Sequence, residues 1–524
     1  MSVMTADIGA RFVDIALSAD GSFHAAKYPI GTYDPAAALL QAIDATVAQN
    51  DIALCDLAEL RIGSTGAVNA LIARTGPRIG LVVTRGFADT LAPAHELECR
   101  AALAAALPAA DIVLSHEIDA QPREYERMVS TCVEAWLRPG ETAMIDALAD
   151  GLEARGFAGA IRFADAGGAL LQQKDARRRV SALLGNGPAA AIRLAAAIVG
   201  REGKHPAIAL DIGSTSTDFA LIGGQGPSLV AEAQFCGVPL RQPMVDMESM
   251  NMGGESRFET GQGTTATLSD AVGARFFAAR TNAAGLSEAA GRTVIDRAET
   301  EIAAGIIRHS VRRNVDPAGA ALVAMGGLGG VLACGIAEKL GVATVIVPAA
   351  PAAAGALGLL LSAPVLSAET RIAAAVTALT DAALAKAAGA LTDRFAAQDG
   401  AAPKNAPAAI YAIRAAANRH MHGFTLRLGA EPPTVARLRA AIDAHYRERY
   451  GVACPGEGYV FSLSARLEHA ASSALPALGG DAQTEPAPSG AIATPCGDLV
   501  VGDGWRVESA YETHFLLARS LHHG

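Results

Sequence analysis

The sequence predicts an α/β fold in which one domain is duplicated and a small α+β domain follows. Two hairpins predict the duplication, because Asp7 to Leu17 and Asp211 to Leu221 share Asp, Ile, Gly, a second Asp, Ala and Leu at the same spacing. Internal repeats of this kind fix an architecture early. A third observation is a buried-strand pattern at 320–325 that runs into four glycines and then a helical pattern. We therefore expect two similar halves at 1–200 and 206–366, and a C-terminal α+β domain at 367–524.

Length and composition restrict the class of protein. A chain of 524 residues is long enough for two or three domains. A formal net charge of −10 argues against nucleic-acid binding, which uses a concentrated basic face. Seven scattered cysteines without a C-x-x-C pair indicate neither a disulfide framework nor a zinc site. The first residues lack the basic start and apolar core of a signal peptide, so we expect a cytoplasmic protein.

One uncharged stretch, 340–366, has the length of a membrane span. Prolines at 348, 351 and 364 and three glycines divide it into a short strand, a turn and a helix. A buried part of an α/β domain has this pattern. We therefore expect no membrane span here.

The second hairpin has the residues of a phosphate site. Gly213 lets the chain turn without a Cβ clash, and main-chain N–H groups and hydroxyls can then converge on an anion. Asp211 at the end of the strand would repel phosphate if left alone, so we expect it to hold Mg²⁺ directly or through water. A polar β-turn is the alternative, and the copy of the hairpin near the N-terminus favours the phosphate site. The hydroxyls belong to Ser214, Thr215 and Ser216.

The glycine-rich element after the strand at 320–325 is a candidate for binding a nucleoside. Glycines permit close approach of a ligand to the backbone, so a base and ribose could lie on it. Its glycines are Gly326, Gly327, Gly329 and Gly330.

Three further stretches each allow two interpretations. The turn at 63–66 could present a helix N-terminus to a ligand, or it could be a strand-to-helix turn capped by Ser64 or Thr65. His116 could be a base or a ligand, although a histidine beside Ser and Glu is more often structural. The acidic loop at 246–255 could bind a metal or assist proton transfer, or it could be a solvated loop. Its carboxylates are Asp246, Glu248 and Glu255.

The remaining elements follow from periodicity and from turn signals. In the first half we expect a helix that Asp34-Pro35 begins, a strand at 78–84, a helix at 97–107 and a strand at 111–118. A helix should run from Glu124 to Trp136, end at Pro139 and be followed by another to about 155. In the second half we expect a helix or helix pair at 285–313. The C-terminal region should contain Ala-rich helix from 367 to 398, a linker at 399–407, a strand at 408–416, a helix at 434–450 and a loop at 481–489.

With these motifs in order, the chain resembles the hydantoinase A / 5-oxoprolinase family of the actin-like ATPase (ribonuclease H-like) superfamily. The resemblance covers most of the chain. Its segments are Asp7-Ile8-Gly9, Gly63 to Leu71, Thr84 to Asp89, Leu114 to Glu117, Glu124 to Arg127, Gly187 to Ala189, Asp211 to Asp218, Gly326 to Gly329 and Arg449 to Gly451.

The resemblance implies an ATP- and Mg²⁺-dependent subunit that phosphorylates an amide or carbonyl oxygen in an interdomain nucleotide cleft. Members open cyclic amides or carboxylate ketones, usually with a hydantoinase B-type partner. It implies that Asp7 and Asp211 lie at Mg²⁺ and the phosphates, and from the acidic loop we expect Asp246 as a further metal ligand. Catalytic roles would fall to Asp7, Asp211, Asp218 and His116. Nucleotide contacts would come from Gly9, from 213–216 and from 326–330, and Arg11, which departs from the family pattern, could bind phosphate or fill the site.

The chain also differs from the family pattern. The first hairpin has Gly9-Ala10-Arg11-Phe12 where Gly-Gly-Thr-Phe is usual, Glu248 stands where His is common, and the stretch between Asp89 and Ser115 is shorter. These differences keep two alternatives open. One is a catalytically degenerate structural or regulatory subunit, and the other is a kinase or ligase of the superfamily that acts on a small biosynthetic substrate.

Overall fold

A computed structural model describes residues 2–519 except 20–21, 32–33, 75, 84–92, 120–123, 225, 236, 262–263, 278–285, 400–408, 420–422 and 469–489. Two large sheets flank a layer of two helices, and a smaller sheet is built from the C-terminal region. The predicted α/β class with two similar halves is confirmed. The predicted segments 84–89, 400–407 and 481–489 lie outside the described residues.

The first half contains a six-stranded sheet in the order β3-β2-β1-β4-β5-β6. Its strands are β1 (Ser2–Ile8), β2 (Phe12–Ala19), β3 (Ser22–Pro29), β4 (Leu57–Ser64), β5 (Ala160–Ala164) and β6 (Leu170–Gln172). Its helices are α1 (Pro35–Gln49), α2 (Gly66–Ala73), α3 (Pro93–Ala106), α4 (Ser115–Ile118), α5 (Glu124–Glu153), α6 (Gln173–Arg178) and α7 (Asn186–Glu202).

Helices α1 and α5 cover the outer face of the first sheet. As predicted, Asp34 caps α1 and accepts from the N–H groups of Ala36 and Ala37, and proline follows at the first helical position. Apolar residues three and four positions apart, such as Leu39 and Ile43, then face the sheet.

The second half and the C-terminal region contain the remaining elements. The strands are β7 (Ala207–Ile212), β8 (Thr217–Gly223), β9 (Gly226–Pro227), β10 (Leu229–Val230), β11 (Ala233–Phe235), β12 (Val238–Leu240), β13 (Met244–Val245), β14 (Met247–Met250), β15 (Arg257–Gly261), β16 (Thr264–Thr267), β17 (Ala321–Met325), β18 (Thr344–Pro348), β19 (Val365–Ala375), β20 (Ile410–Ala416), β21 (Phe424–Gly429), β22 (Tyr459–Glu468), β23 (Ala491–Ala493), β24 (Asp498–Val500), β25 (Trp505–Ala510) and β26 (His514–Arg519). The helices are α8 (Leu268–Phe276), α9 (Glu288–Val311), α10 (Gly329–Leu340), α11 (Ala354–Leu360), α12 (Asp381–Asp399) and α13 (Val435–Tyr450).

The two halves exchange helices. Helix α7, which ends the first half, packs on β7, β8 and β17 of the second sheet, and α11 of the second half packs on β1, β2 and β4 of the first sheet. The two helices also pack against each other. Thr5 of β1 donates its hydroxyl to the carbonyl of Ala356 at 2.7 Å. The core between the sheets is therefore shared by both halves.

The last strands of the chain belong to the second sheet. Its order is β14-β8-β7-β17-β18-β26-β25, and β26 pairs antiparallel with β18. Phe515 and Leu517 are buried in the second-half core. The C-terminal sheet, β19-β22-β20-β21, has its own core with α12 and α13. The predicted domain at 367–524 therefore needs a correction, because its end returns to the second half.

Four predicted elements differ from the structure. Residues 78–83 form no strand and lie exposed, since no described strand pairs with them. Residues 111–114 are irregular and 115–118 form a helical turn. Helix α5 continues through Pro139, because apolar residues on both sides of it, such as Leu137 and Ile145, are buried. Residues 365–375 form strand β19 because pairing with β22 overrides the helix propensity of alanine.

Among the described helices, none combines the length and the apolar composition that a bilayer crossing requires.

Candidate functional site

Each half carries a pair of aspartates at the same place in its first hairpin. Asp7 on β1 lies directly opposite Asp14 on β2, and Asp211 on β7 lies directly opposite Asp218 on β8. In each half a parallel strand flanks the first aspartate, β4 beside Asp7 and β17 beside Asp211. The equal register is the structural counterpart of the sequence repeat.

The four aspartates are close enough to influence one another. Burial, then the charges of Asp218, Asp7 and Asp14, raise the pKa of Asp211 to about 8. Burial and the charge of Asp14 raise the pKa of Asp7 to about 7, although Lys27 opposes the rise. Burial raises the pKa of Asp218 to about 6 against hydrogen bonds from serines. Clustered carboxyls with raised pKa values are typical of sites that receive a cation.

The carboxyl of Asp7 lies among glycines from three elements. A Cβ atom at Gly63 or Gly187 would stand 3.1 or 2.8 Å from Asp7 Oδ1, and one at Gly355 would overlap Oδ2. Gly187 is in the first turn of α7 and Gly355 in the first turn of α11, so both exchanged helices begin at Asp7. Asp7 Oδ1 is buried and has no hydrogen-bond partner among the described residues. A cation would satisfy this oxygen.

Asp211 is packed in a similar way against the glycine-rich element. Gly326 has φ +83°, a conformation that favours glycine, and a Cβ atom there would overlap both Asp211 Oδ1 and the carbonyl of Ile212. Leu328 donates its N–H to that carbonyl at 3.1 Å. The turn after β17 is thus fixed beside the second phosphate hairpin.

The other glycines of this element have different surroundings. Gly327 is exposed and a Cβ atom there would meet nothing within 4 Å. Gly329 and Gly330 are buried in the first turn of α10, and a Cβ atom at Gly330 would stand 2.6 Å from the carbonyl oxygen of Asp498. Close packing against the backbone therefore explains why residue 330 is a glycine. Gly327 is the glycine of this element whose Cβ position is free for a ligand to approach.

The tip of the second hairpin is held by the loop at 252–256. Gly254 and Glu255 donate their N–H groups to the carbonyls of Gly213 and Ser214, at 3.0 and 2.8 Å. Gly213 donates its own N–H to the carbonyl of Ser216 at 2.9 Å, and the Ser216 hydroxyl donates to Asp218 at 3.1 Å. The predicted hydroxyl of Ser216 is therefore engaged within the hairpin.

An ion pair connects the tips of the two hairpins. Arg11, at the tip of the first, contacts Glu255 from the loop that holds the second. Their side chains are 61% and 41% exposed. Where the family pattern has Gly-Gly-Thr-Phe, this chain therefore has the cation of Arg11 at the cleft, and the carboxylate of Glu255 pairs with it.

Two predicted site residues have their contacts elsewhere. Asp246 forms a two-point ion pair with Arg313, which lies in the turn after α9. His116 interacts with Glu96, its Nδ1 atom lying 2.9 Å from Oε2, beside Ser115 and Arg127. The structure brings Asp7, Asp211 and Asp218 together, with Asp14 as an addition, and leaves these two outside the aspartate cluster.

Some site residues gave no functional signal in the sequence. In the sequence, Gly355 is one of the three glycines that divide the uncharged stretch, and Gly187 belongs to a segment of the family resemblance that has no role assigned to it. Lys27, whose Nζ atom lies 2.7 Å from Asp14 Oδ1, is on β3 in a stretch without a motif. The position of Asp14, opposite Asp7, could have been read from the repeat.

The residues of this site suit a Mg²⁺ ion that is bound together with ATP better than a metal ion that is held by protein side chains alone. Among the described residues, no three His, Cys, Asp or Glu side chains are placed to hold an ion by themselves. Magnesium usually keeps several water ligands and takes one or two carboxylates with phosphate oxygens. The unpartnered Asp7 oxygen and the paired aspartates of two facing hairpins meet that requirement.

Family models match most of the chain. The model described as hydantoinase/oxoprolinase N-terminal region matches residues 3–152, and the hydantoinase/oxoprolinase model matches residues 127–276 and 266–367. The alpha subunit of caprolactamase from Pseudomonas jessenii is 26% identical over 317 residues, which are 52% of this chain and 46% of that subunit. The matched stretch thus spans about half the length of the curated relatives.

Two solved structures share the fold over nearly the whole chain. Nucleotide-free acetone carboxylase has a TM-score of 0.80 at 16% identity, with 99% of each chain covered. ATP-dependent caprolactamase from Pseudomonas jessenii has a TM-score of 0.75 at 18% identity, covering 99% of this chain and 100% of that one. At these identities the likeness establishes the fold alone.

Proposed function

Because the chain belongs to the hydantoinase/oxoprolinase family, we propose that it is an ATP-dependent subunit that activates an amide or carbonyl substrate by phosphorylation. The observation that carries the proposal is the equal register of Asp7/Asp14 and Asp211/Asp218 on two facing hairpins. ATP would supply the phosphoryl group, and Mg²⁺ would neutralise the charge of the phosphates. Hydrolysis of a cyclic amide and carboxylation of a ketone both begin with such an activated oxygen.

The chain's own residues would have separate tasks. Asp7 and Asp211 would anchor the hydrated cation, and the cation would keep both carboxyls ionised at neutral pH. The N–H groups at the tip of the second hairpin and the cation of Arg11 would face phosphate oxygens. Gly327, which is open, would lie against the nucleoside. Asp246 is not in this set, because Arg313 holds it.

A partner subunit is part of the proposal. The caprolactamase relative is named a subunit alpha, and the similarity to it extends over 52% of the present chain. We propose that a hydantoinase B-type subunit completes the reaction, since hydrolysis or carboxylation must follow activation.

A second candidate function is a non-catalytic subunit that keeps the fold for assembly. The ion pair between Arg11 and Glu255 favours it, because a salt bridge across the hairpin tips occupies the space that phosphates would need. Binding of the nucleotide would have to break this pair.

Calorimetric titration of the purified chain with ATP and Mg²⁺ tests the first candidate against the second. Binding in the wild type that is lost in Asp211→Ala would support a working nucleotide site. Absence of binding at millimolar ATP would contradict it and would favour the assembly role.

A further inference from the structure

Lys27 on β3 extends the row of aspartates in the first hairpin. Asp7 on β1 lies opposite Asp14 on β2, and Asp14 lies opposite Lys27. Directly opposed residues of antiparallel strands share one face of the sheet, so the three side chains are neighbours on that face. The side chains of Lys27 and Asp14 are 28% and 14% exposed, and Nζ lies 2.7 Å from Asp14 Oδ1. The row therefore ends in a half-buried ammonium group.

Two further contacts hold this ammonium group in place. Its Nζ atom lies 4.7 Å from the centroid of the Phe12 ring, and it donates to the carbonyl of Ala352 at 3.5 Å. Phe12 follows Arg11 at the hairpin tip, and Ala352 comes just before α11 of the second half. A carboxylate, an aromatic face and a carbonyl oxygen all stabilise a cation. Lys27 is therefore fixed as a positive charge beside the cleft.

The second half has an uncharged residue at the corresponding position. Strand β14 pairs antiparallel with β8, as β3 does with β2, and Ser249 lies opposite Asp218. The Ser249 hydroxyl hydrogen-bonds to Asp218. Each half thus contributes two aspartates, but at this position only the first half contributes a cation.

The charge of Lys27 reaches carboxyls of both halves. Burial raises the pKa of Asp14, and the ammonium group opposes the rise. Burial and Asp14 raise the pKa of Asp7, and burial with the other aspartates raises that of Asp211; Lys27 opposes both shifts. A positive charge that favours ionised carboxyls also repels a metal ion placed among them. Lys27 should therefore reduce the affinity of the aspartate cluster for a divalent cation.

We propose that Lys27 is the counterion of the aspartate cluster, whose ammonium group weakens the binding of Mg²⁺ to the nucleotide-free cleft. Phosphates that accompany the cation carry negative charge, which the same ammonium group attracts. Lys27 thereby favours occupation of the cleft by Mg²⁺ and ATP together. The inference rests on the proposed function, because it assigns a task within the proposed nucleotide site.

The test is calorimetric titration of Mg²⁺ into the nucleotide-free protein at pH 9. The carboxyls with pKa values raised to about 6, 7 and 8 are then largely ionised. Lys27→Gln keeps a hydrogen-bond donor but loses the charge, so Mg²⁺ should bind roughly five-fold more tightly than to the wild type. Lys27→Arg keeps the charge and should match the wild type. Unchanged or weaker Mg²⁺ binding in Lys27→Gln would overturn the inference, because a lysine that only orients Asp14 gives no gain of affinity when it is removed.

Lys339→Gln is the matched control. The Lys339 side chain is 27% exposed, and its Nζ atom lies 2.6 Å from Asp296, a carboxylate on α9 outside the aspartate cluster. Its replacement changes the net charge of the chain by the same amount as Lys27→Gln, and Mg²⁺ affinity should equal that of the wild type. An equal gain in both variants would contradict a local counterion.

A second variant covers a failure of Lys27→Gln to fold. Lys27→Met replaces the ammonium stem with an apolar chain, and the rise in melting temperature that Mg²⁺ causes reports binding to the folded state. This rise at pH 9 should be larger in Lys27→Met than in the wild type, and an equal or smaller rise would refute the proposal. Neither measurement uses ATP. A wild type that binds no nucleotide would therefore refute the proposed function, while the role of Lys27 would still be decided.

Discussion

Arg11 at the tip of the first hairpin forms an ion pair with Glu255, which belongs to the loop that holds the tip of the second hairpin. The pair spans the two halves at the place where the resemblance puts phosphate. Arg11 can contact the phosphates of ATP only when its ion pair with Glu255 breaks. If the pair stays intact, it blocks the phosphate site.

Substitutions at this pair should change nucleotide affinity in opposite directions. Glu255→Gln leaves Arg11 without its carboxylate, so we expect ATP to bind a few-fold more tightly, and Arg11→Ala should weaken binding by a similar factor. Both side chains are well exposed, and exposed pairs contribute about 0–1 kcal/mol, so the melting temperatures should change little. Weaker binding in both variants, measured by calorimetry, would contradict this assignment.

Asp211 and Asp246 should differ in their effect on Mg²⁺. Asp211→Ala should abolish Mg²⁺-dependent nucleotide binding, because the metal loses an anionic anchor. Asp246→Asn should leave the Mg²⁺ dependence unchanged, since that carboxylate is paired with Arg313. Titration of each variant with ATP at several Mg²⁺ concentrations separates the two. Unchanged affinity in Asp211→Ala would refute the cation site.

Stability without metal should decrease as the pH rises. Asp218, Asp7 and Asp211 have folded-state pKa values raised to about 6, 7 and 8, above their ordinary value of 3.8. The folded state therefore binds protons more tightly than the unfolded state, and the stability present below pH 4 is lost as the pH passes from 4 to 8. We expect the free energy of unfolding to decrease between pH 5.5 and 8.5, measured by denaturant unfolding. Mg²⁺ should restore stability at pH 8.5, and a profile that rises towards pH 8.5 without metal would exclude this account.

Gly355→Ala should impair the site more than a comparable change elsewhere in a helix. The new Cβ atom would overlap Asp7 Oδ2 and push the carboxyl from its position. We expect at least a ten-fold loss of Mg²⁺-ATP affinity. Gly200→Ala in α7 is the control, since nothing lies within 4 Å of its Cβ position and alanine there should stabilise the helix by about 0.5–1 kcal/mol. Equal Mg²⁺-ATP affinities in Gly355→Ala and Gly200→Ala would show that the contact between residue 355 and Asp7 does not limit nucleotide binding.

Local signals predicted where some helices begin and that the first hairpin is repeated. Asp34-Pro35 begins α1 and Thr434 caps α13, because capping chemistry depends on neighbours in sequence. The repeated Asp-Gly hairpins predicted the duplication, and their equal register follows from it. These features need no knowledge of distant residues.

Long-range pairing decided the features that the sequence did not predict. Strand β19 has an alanine-rich composition and becomes a strand only through pairing with β22. The return of β26 to β18 and the contact of Gly355 with Asp7 join segments more than a hundred residues apart. Similarly, the ion pair that occupies Asp246 depends on the position of α9, which no local pattern specifies.

The exchange of α7 and α11 imposes an order on folding during synthesis. The last strand of the first sheet ends at Gln172, but α11, which covers β1, β2 and β4 on the inner face of that sheet, ends at Leu360. At a synthesis rate of about 5–20 residues per second, that apolar face waits roughly 10–40 s for its cover. During this interval the exposed apolar surface favours aggregation of the nascent first half. If translation stalls between α7 and α11, the nascent chain keeps this apolar face exposed and is prone to aggregate on the polysome.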